Sequence, residues 1–208
     1  MTKFWLLASL SVLLLTGCAQ KEFTQNAPEP PQVVVENPKT ELRNHIIATS
    51  LKHQNRPDGG DCSGFVSLVN KETKEPFFST RELESYYEDS RRSLAIYNLL
   101  GDQNRLYTER PKIGDLIFFA NTMKRYAKTK SVDNITHIGI ITRVDDDGTV
   151  YFIHHTKGKN LIGQMNLNYP HTTMYNQKVV NSYMEKCSKD SNSKCLAPEY
   201  FSAYGKIK

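Results

Sequence analysis

Cys62 stands in Asp61-Cys62-Ser63-Gly64-Phe65-Val66, and no other residue of the chain is better placed to act as a nucleophile. Cys62, Phe65, Val66 and Val69 fall at i, i+3, i+4 and i+7, the spacing of one helix face. Upstream, Arg56-Pro57-Asp58-Gly59-Gly60 cannot continue a helix. The spacing therefore predicts a helix that starts here, with Asp61 as N-cap and Cys62 in the first turn. Unpaired N–H groups and the macrodipole at such a position favour the thiolate, which is the nucleophilic form. A cysteine packed into a core would satisfy the same pattern. The decision turns on which residues face it.

A thiol nucleophile needs a base, usually histidine, and the base needs a group that orients it. His137 opens the apolar run His137-Ile138-Gly139-Ile140-Ile141-Thr142-Arg143-Val144, and His154 and His155 sit in the next run, Thr149 to Thr156. Asp145-Asp146-Asp147-Gly148 between them reads as a hairpin turn, since it lacks the alternating ligands and distal glutamate of a calcium loop. A turn centred between Asp146 and Asp147 sets Gly139 opposite His154 and Ile138 opposite His155. Side chains alternate between faces, so His137, Gly139 and His154 share one face, with the two imidazoles as diagonal neighbours. His155 points the other way. A bulge or an odd-length loop would reverse this choice. The roles follow: Cys62 attacks a carbonyl carbon, His137 takes the thiol proton, His154 orients His137, and the Cys62 N–H donates to the developing oxyanion. Zinc with a water could use the same three side chains, but no local spacing demands it. The expected site is free of metal and cofactor.

Helices are expected to come first in the chain. One begins with Thr40 as N-cap and carries Leu42, Ile46, Ile47 and Leu51. After the Cys62 helix, Ser79-Thr80-Arg81-Glu82 has the form of a capping box. It opens a helix that carries Leu83, Tyr86, Tyr87, Leu94 and Tyr97 to about Gly101. Pro111-Lys112-Ile113-Gly114-Asp115 then turns into the buried-strand pattern Leu116-Ile117-Phe118-Phe119-Ala120. A basic loop with Lys124, Arg125, Lys128 and Lys130 precedes the two histidine strands. Helices first and an antiparallel meander later predict an α+β domain, with N-terminal helices packed on one face of a small sheet. Its expected span is 40–170, with 171–208 as a C-terminal extension.

The 208-residue chain carries a formal charge of +5, with 38% hydrophobic and 24% charged residues, which fits one globular domain with polar extensions. Lys3, an apolar run from Phe4 to Leu15 and then Leu15-Thr16-Gly17-Cys18 describe an export signal over 1–17. The last four residues resemble a bacterial lipobox. The resemblance implies lipidation of Cys18 and anchoring to a bacterial membrane on its periplasmic face, with the outer membrane expected. Pro28, Pro30, Pro31 and Pro38 mark 18–39 as anchor and extended tether. Of the four cysteines, Cys187 and Cys195 remain, close together in an exported chain, and are expected to form a local disulfide. The modest positive charge suits an anionic surface or polymer.

Taken together, Asp61-Cys62-Ser63-Gly64-Phe65-Val66, Gly114-Asp115-Leu116-Ile117-Phe118-Phe119, His137-Ile138-Gly139-Ile140 and Phe152-Ile153-His154 resemble the successive motifs of the NlpC family, papain-like cysteine peptidases of bacterial cell walls. The resemblance runs from about Glu41 to Gln164. It implies a papain-like fold, with Cys62 as nucleophile, His137 as base and His154 as orienting residue. It also implies hydrolysis of γ-D-glutamyl to diamino-acid bonds in peptidoglycan stem peptides, without a metal. The implied partners are peptidoglycan and, through the anchor, the membrane; nucleic acid is not among them. One departure stands out. The family's upstream tyrosine, which helps bind substrate, has no counterpart in His53-Gln54-Asn55-Arg56-Pro57.

Overall fold

The computed structural model describes residues 37–87, 91–123, 131–184 and 195–208. The apolar run Phe4 to Leu15, Cys18, the tether up to residue 36, the basic loop 124–130 and Cys187 lie outside them. Among the described residues, no helix is long and apolar enough to cross a membrane.

Among the described residues four helices come first: α1 (Pro38–Lys52), α2 (Cys62–Glu72), α3 (Thr80–Glu84) and α4 (Arg92–Asp102). The first starts ahead of the expected Thr40. Asn37 is its N-cap, accepting from the Lys39 N–H, and Pro38 takes the first helical position, where its missing N–H costs nothing. The segment expected as one helix from Ser79 to Gly101 is two, α3 and α4. Ser79 caps α3 in extended geometry but makes no side-chain cap bond. Glu75 supplies that acceptor instead, to the N–H and hydroxyl of Thr80.

The strands of the described residues follow: β1 (Leu106–Tyr107), β2 (Leu116–Ala120), β3 (Ile135–Val144), β4 (Val150–Thr156), β5 (Lys159–Met165), β6 (Met174–Tyr175), β7 (Lys178–Val179) and β8 (Phe201–Gly205), the last preceded by the short helix α5 (Ala197–Tyr200). The main sheet has the order β1-β8-β2-β3-β4-β5, and its neighbouring strands run antiparallel. This is the expected α+β architecture, and β2 to β5 form the expected meander.

The C-terminal residues depart from expectation. Residues 171–208 are not all an extension, because β8 enters the sheet between β1 and β2. The physical reason lies in β2. All five of its residues are buried, so it needs cover on both faces and a partner on both edges. Helices α1 to α4 cover one face, packing Ile46, Phe65, Val69, Ile96 and Leu100 against Leu116, Phe118, Ile138, Ile140 and Ile153. On the other face Ile117, Phe119, Ile141 and Phe152 cluster with Cys195, Ala197, Tyr200 and Tyr204 from the C-terminal segment. Cys195 is buried and disulfide-bonded; its expected partner Cys187 is outside the described residues.

One buried carboxylate joins these parts. Asp115 is 1% exposed and accepts from Arg43 Nη1 at 2.8 Å, from the Tyr107 hydroxyl and from the Ile207 N–H at 3.3 Å. It thereby fastens α1, β1 and the C-terminus to the start of β2. Removing one partner of a buried ion pair leaves the other charge uncompensated. Asp115→Ala should therefore cost about 3–5 kcal/mol, read as a lower urea midpoint with unchanged slope. A midpoint equal to that of the parent would contradict this role.

Candidate active site

Cys62 is the first residue of α2, as expected, and the Asp61 cap is complete. Asp61 Oδ1 accepts from the Gly64 N–H at 2.6 Å and from the Ser63 hydroxyl at 2.8 Å. Cys62 is half-buried and packs against the core cluster that holds Ile138 on β3, the residue beside His137. Its electrostatics differ from expectation. Burial pushes the thiol up to about 11; the N–H groups of Ile138, Ser63 and Cys62 oppose this and the Asp61 charge adds to it. Loss of hydration outweighs the helix terminus, because it acts on the whole thiolate charge while the terminus offers partial charges. The resting thiol is therefore protonated.

His137 and His154 meet directly: Nε2 of His137 lies 2.6 Å from Nδ1 of His154, with the rings edge to face at 87°. That spacing admits one hydrogen and leaves no room for a metal ion between the two nitrogens. Nδ1 of His137 is left for another partner. Phe119 and Phe152 flank the imidazoles, with ring centroids 6.1 Å from His137 and 4.9 Å from His154. Burial pushes His137 down to about 4, with His155 adding to the shift and the Asp61 carboxylate opposing it. Burial likewise holds His154 well below its ordinary value, and His137 adds to this. Both rings are neutral at neutral pH.

The register that pairs these histidines arises from two compensating irregularities. Val144 pairs with Val150, so the turn is centred on Asp147, and the odd-length loop shifts the register by one. A bulge at Thr142, between the pairs Arg143–Tyr151 and Ile141–Phe152, shifts it back. Beyond the bulge Ile140 pairs with Ile153, and the next position sets Gly139 beside His154. A Cβ on Gly139 would lie 2.9 Å from the Ile153 carbonyl oxygen and 3.3 Å from His154 Cβ. Gly163 does the same from the other side: it pairs with Phe152, and a Cβ there would lie 2.7 Å from that ring and 3.2 Å from His154 Nε2. Sequence reasoning found Gly139 and missed Gly163. The signal was available as a lone glycine within the β5 pattern, which marks a close approach.

His155 points away, as expected. It contacts Asn160 Oδ1 at 3.0 Å. Asn160 Nδ2 donates to the carbonyls of His53 and Asp58, and its backbone bonds with Asn55 and Arg56. Asn160 thus fixes the segment leading to Cys62 onto the edge of β5, a link with no signal in the local sequence. His53 is held between two carboxylates. It is 6% exposed, with ring nitrogens 2.6 Å from Asp58 Oδ2 and 3.3 Å from Glu72 Oε2.

No protein-family model, curated protein or solved structure matches the chain.

The lowered imidazoles link the site to stability. Between pH 6.5 and about 4 the unfolded chain binds protons that His137 and His154 refuse in the fold. This contribution is complete above pH 6.5 and is lost as pH falls toward about 4. The urea midpoint should drop from pH 7 to pH 5, and His137→Asn combined with His154→Gln should flatten that drop. An equal drop in the double variant would assign the acid sensitivity to other groups.

Proposed function

We propose that this protein is a cysteine peptidase of the bacterial cell wall, with Cys62 as nucleophile, His137 as base and His154 as orienting residue. The observation that carries the reading is Cys62 at the start of α2, packed on the core cluster that holds Ile138, next in the chain to a histidine whose Nε2 is held by a second histidine. A proton on His137 Nε2, donated to His154, leaves the Nδ1 lone pair to accept the thiol proton. Sulfur then bonds the carbonyl carbon. The Cys62 N–H, a first-turn donor that the helix itself does not use, meets the oxyanion. His137 returns the proton to the leaving nitrogen as the C–N bond breaks. Water attacks the thioester through the same base, releasing the acid and restoring the thiol.

The substrate reading is γ-D-glutamyl to diamino-acid bonds in stem peptides. Its support is the four ordered motifs around Cys62, Asp115, His137 and His154 and the papain-like pairing of a nucleophile helix with an antiparallel sheet. The Leu15–Cys18 motif, outside the described residues, supports lipidation of Cys18 and a periplasmic, membrane-anchored location. With no upstream tyrosine and with His53 held by two carboxylates, recognition of the stem peptide rests on other groups.

Defined muropeptides should yield fragments cut at the γ-D-glutamyl bond, identified by mass. Cys62→Ala should abolish them with an unchanged circular dichroism spectrum, and His154→Ala should cost at least 100-fold more activity than His155→Ala, within the usual range for positioned acid–base groups. Fragments cut at the sugar–lactyl amide would indicate an amidase. Binding without cleavage would indicate a wall-binding module.

A further inference from the structure

At the end of β2 and β3 remote from His137, a cavity of about 600 Å³ opens beside the first turn of α1. Its position follows from the sheet. Gly114 and Asp115 bond with Ile141 at that end, while His137 pairs with Phe119, four residues farther along β2. At the rise of a strand this is about 13 Å. Five cationic side chains and two carboxylates line it.

We propose that this cavity binds an oxyanion, a phosphate or carboxylate carried by a soluble ligand or by a lipid headgroup. The inference is independent of the chemistry at Cys62. Arg43 is its centre. The side chain is 11% exposed, and Nη1 alone is committed, to Asp115 Oδ1 and the Ile113 carbonyl. Nη2 and Nε make no hydrogen bond among the described residues, which leaves a planar pair of donors of the kind that grips oxyanions bidentately. The Asp115 charge is already met by Arg43, the Tyr107 hydroxyl and the Ile207 N–H. It therefore offers little opposition to an anion in the cavity. Lys39 and Lys112 line the same space and meet no carboxylate within ion-pair distance among the described residues. Lys206 lies over the Tyr107 ring at 5.1 Å and meets no carboxylate within ion-pair distance among the described residues. Arg110 is drawn aside to Asp145 and Asp146. The positive end of the α1 dipole adds to the field.

The test uses the full chain with Cys18→Ser, so that no lipid is attached. Inorganic phosphate and pyrophosphate are titrated at constant ionic strength against chloride while the amide resonances of Lys39, Thr40, Lys112 and Ile207 are followed. Sedimentation with phosphatidylglycerol vesicles, against phosphatidylcholine vesicles, forms the second arm. Saturable shifts at these amides or selective co-sedimentation should appear, and Lys39→Glu with Lys112→Glu should weaken either at least tenfold. Both variants are surface changes away from Cys62 and should leave muropeptide cleavage unchanged. Binding to free pyrophosphate without vesicle binding assigns a soluble ligand; selective vesicle binding assigns a headgroup. Neither response, or equal responses in parent and double variant, would overturn the proposal.

Discussion

A single proton occupies the 2.6 Å contact between His137 Nε2 and His154 Nδ1, and the local structure serves to keep that contact short. The bulge at Thr142 restores the register that the turn displaces. Gly139 and Gly163 clear the two strands that flank His154. Phe119 and Phe152 pack against each other, with centroids 5.1 Å apart, and flank the two imidazoles. A side chain at either glycine would move Phe152 or His154, and the contact would lengthen. The geometry of one hydrogen bond thus constrains the sequence of three strands.

The same burial that shortens the contact sets the charge state. A thiol raised to about 11 and an imidazole lowered to about 4 are both neutral at rest. In the proposed reaction the sulfur gains its nucleophilic character during attack, as its proton passes to His137, and a resting ion pair is not needed. A neutral pair also costs less to hold in a low-dielectric site than two separated charges. A reaction of this kind would depend on alignment, and the glycines and aromatic rings beside the histidines hold that alignment.

Much of this was legible in the sequence because it rests on local rules. Asp61 and the spacing of Phe65, Val66 and Val69 gave the start of α2; strand alternation separated His154 from His155; and the β2 pattern announced a fully buried strand. The parity argument reached the right histidine although its turn was misplaced by half a residue, because the bulge at Thr142 cancels the error. Nothing local announces that bulge. Asn160 holding the segment before Cys62, β8 filling the gap between β1 and β2, and Arg43 meeting Asp115 are contacts between distant parts of the chain, set by packing. The charge state of Cys62 was misjudged for a similar reason. The helix terminus is visible in sequence, whereas the depth of burial that outweighs it belongs to the assembled fold.

The most direct measurement is the rate of Cys62 alkylation by chloroacetamide, followed by intact mass from pH 3 to 11 in the parent and in His137→Ala. If His137 takes the thiol proton, the parent reacts across neutral pH on a limb that falls as pH drops through about 4, the value of its buried imidazole. The variant keeps only the limb that rises toward the thiol's own titration near 11. Superimposable profiles in the two proteins would contradict the account, because Cys62 would then react as an isolated buried thiol.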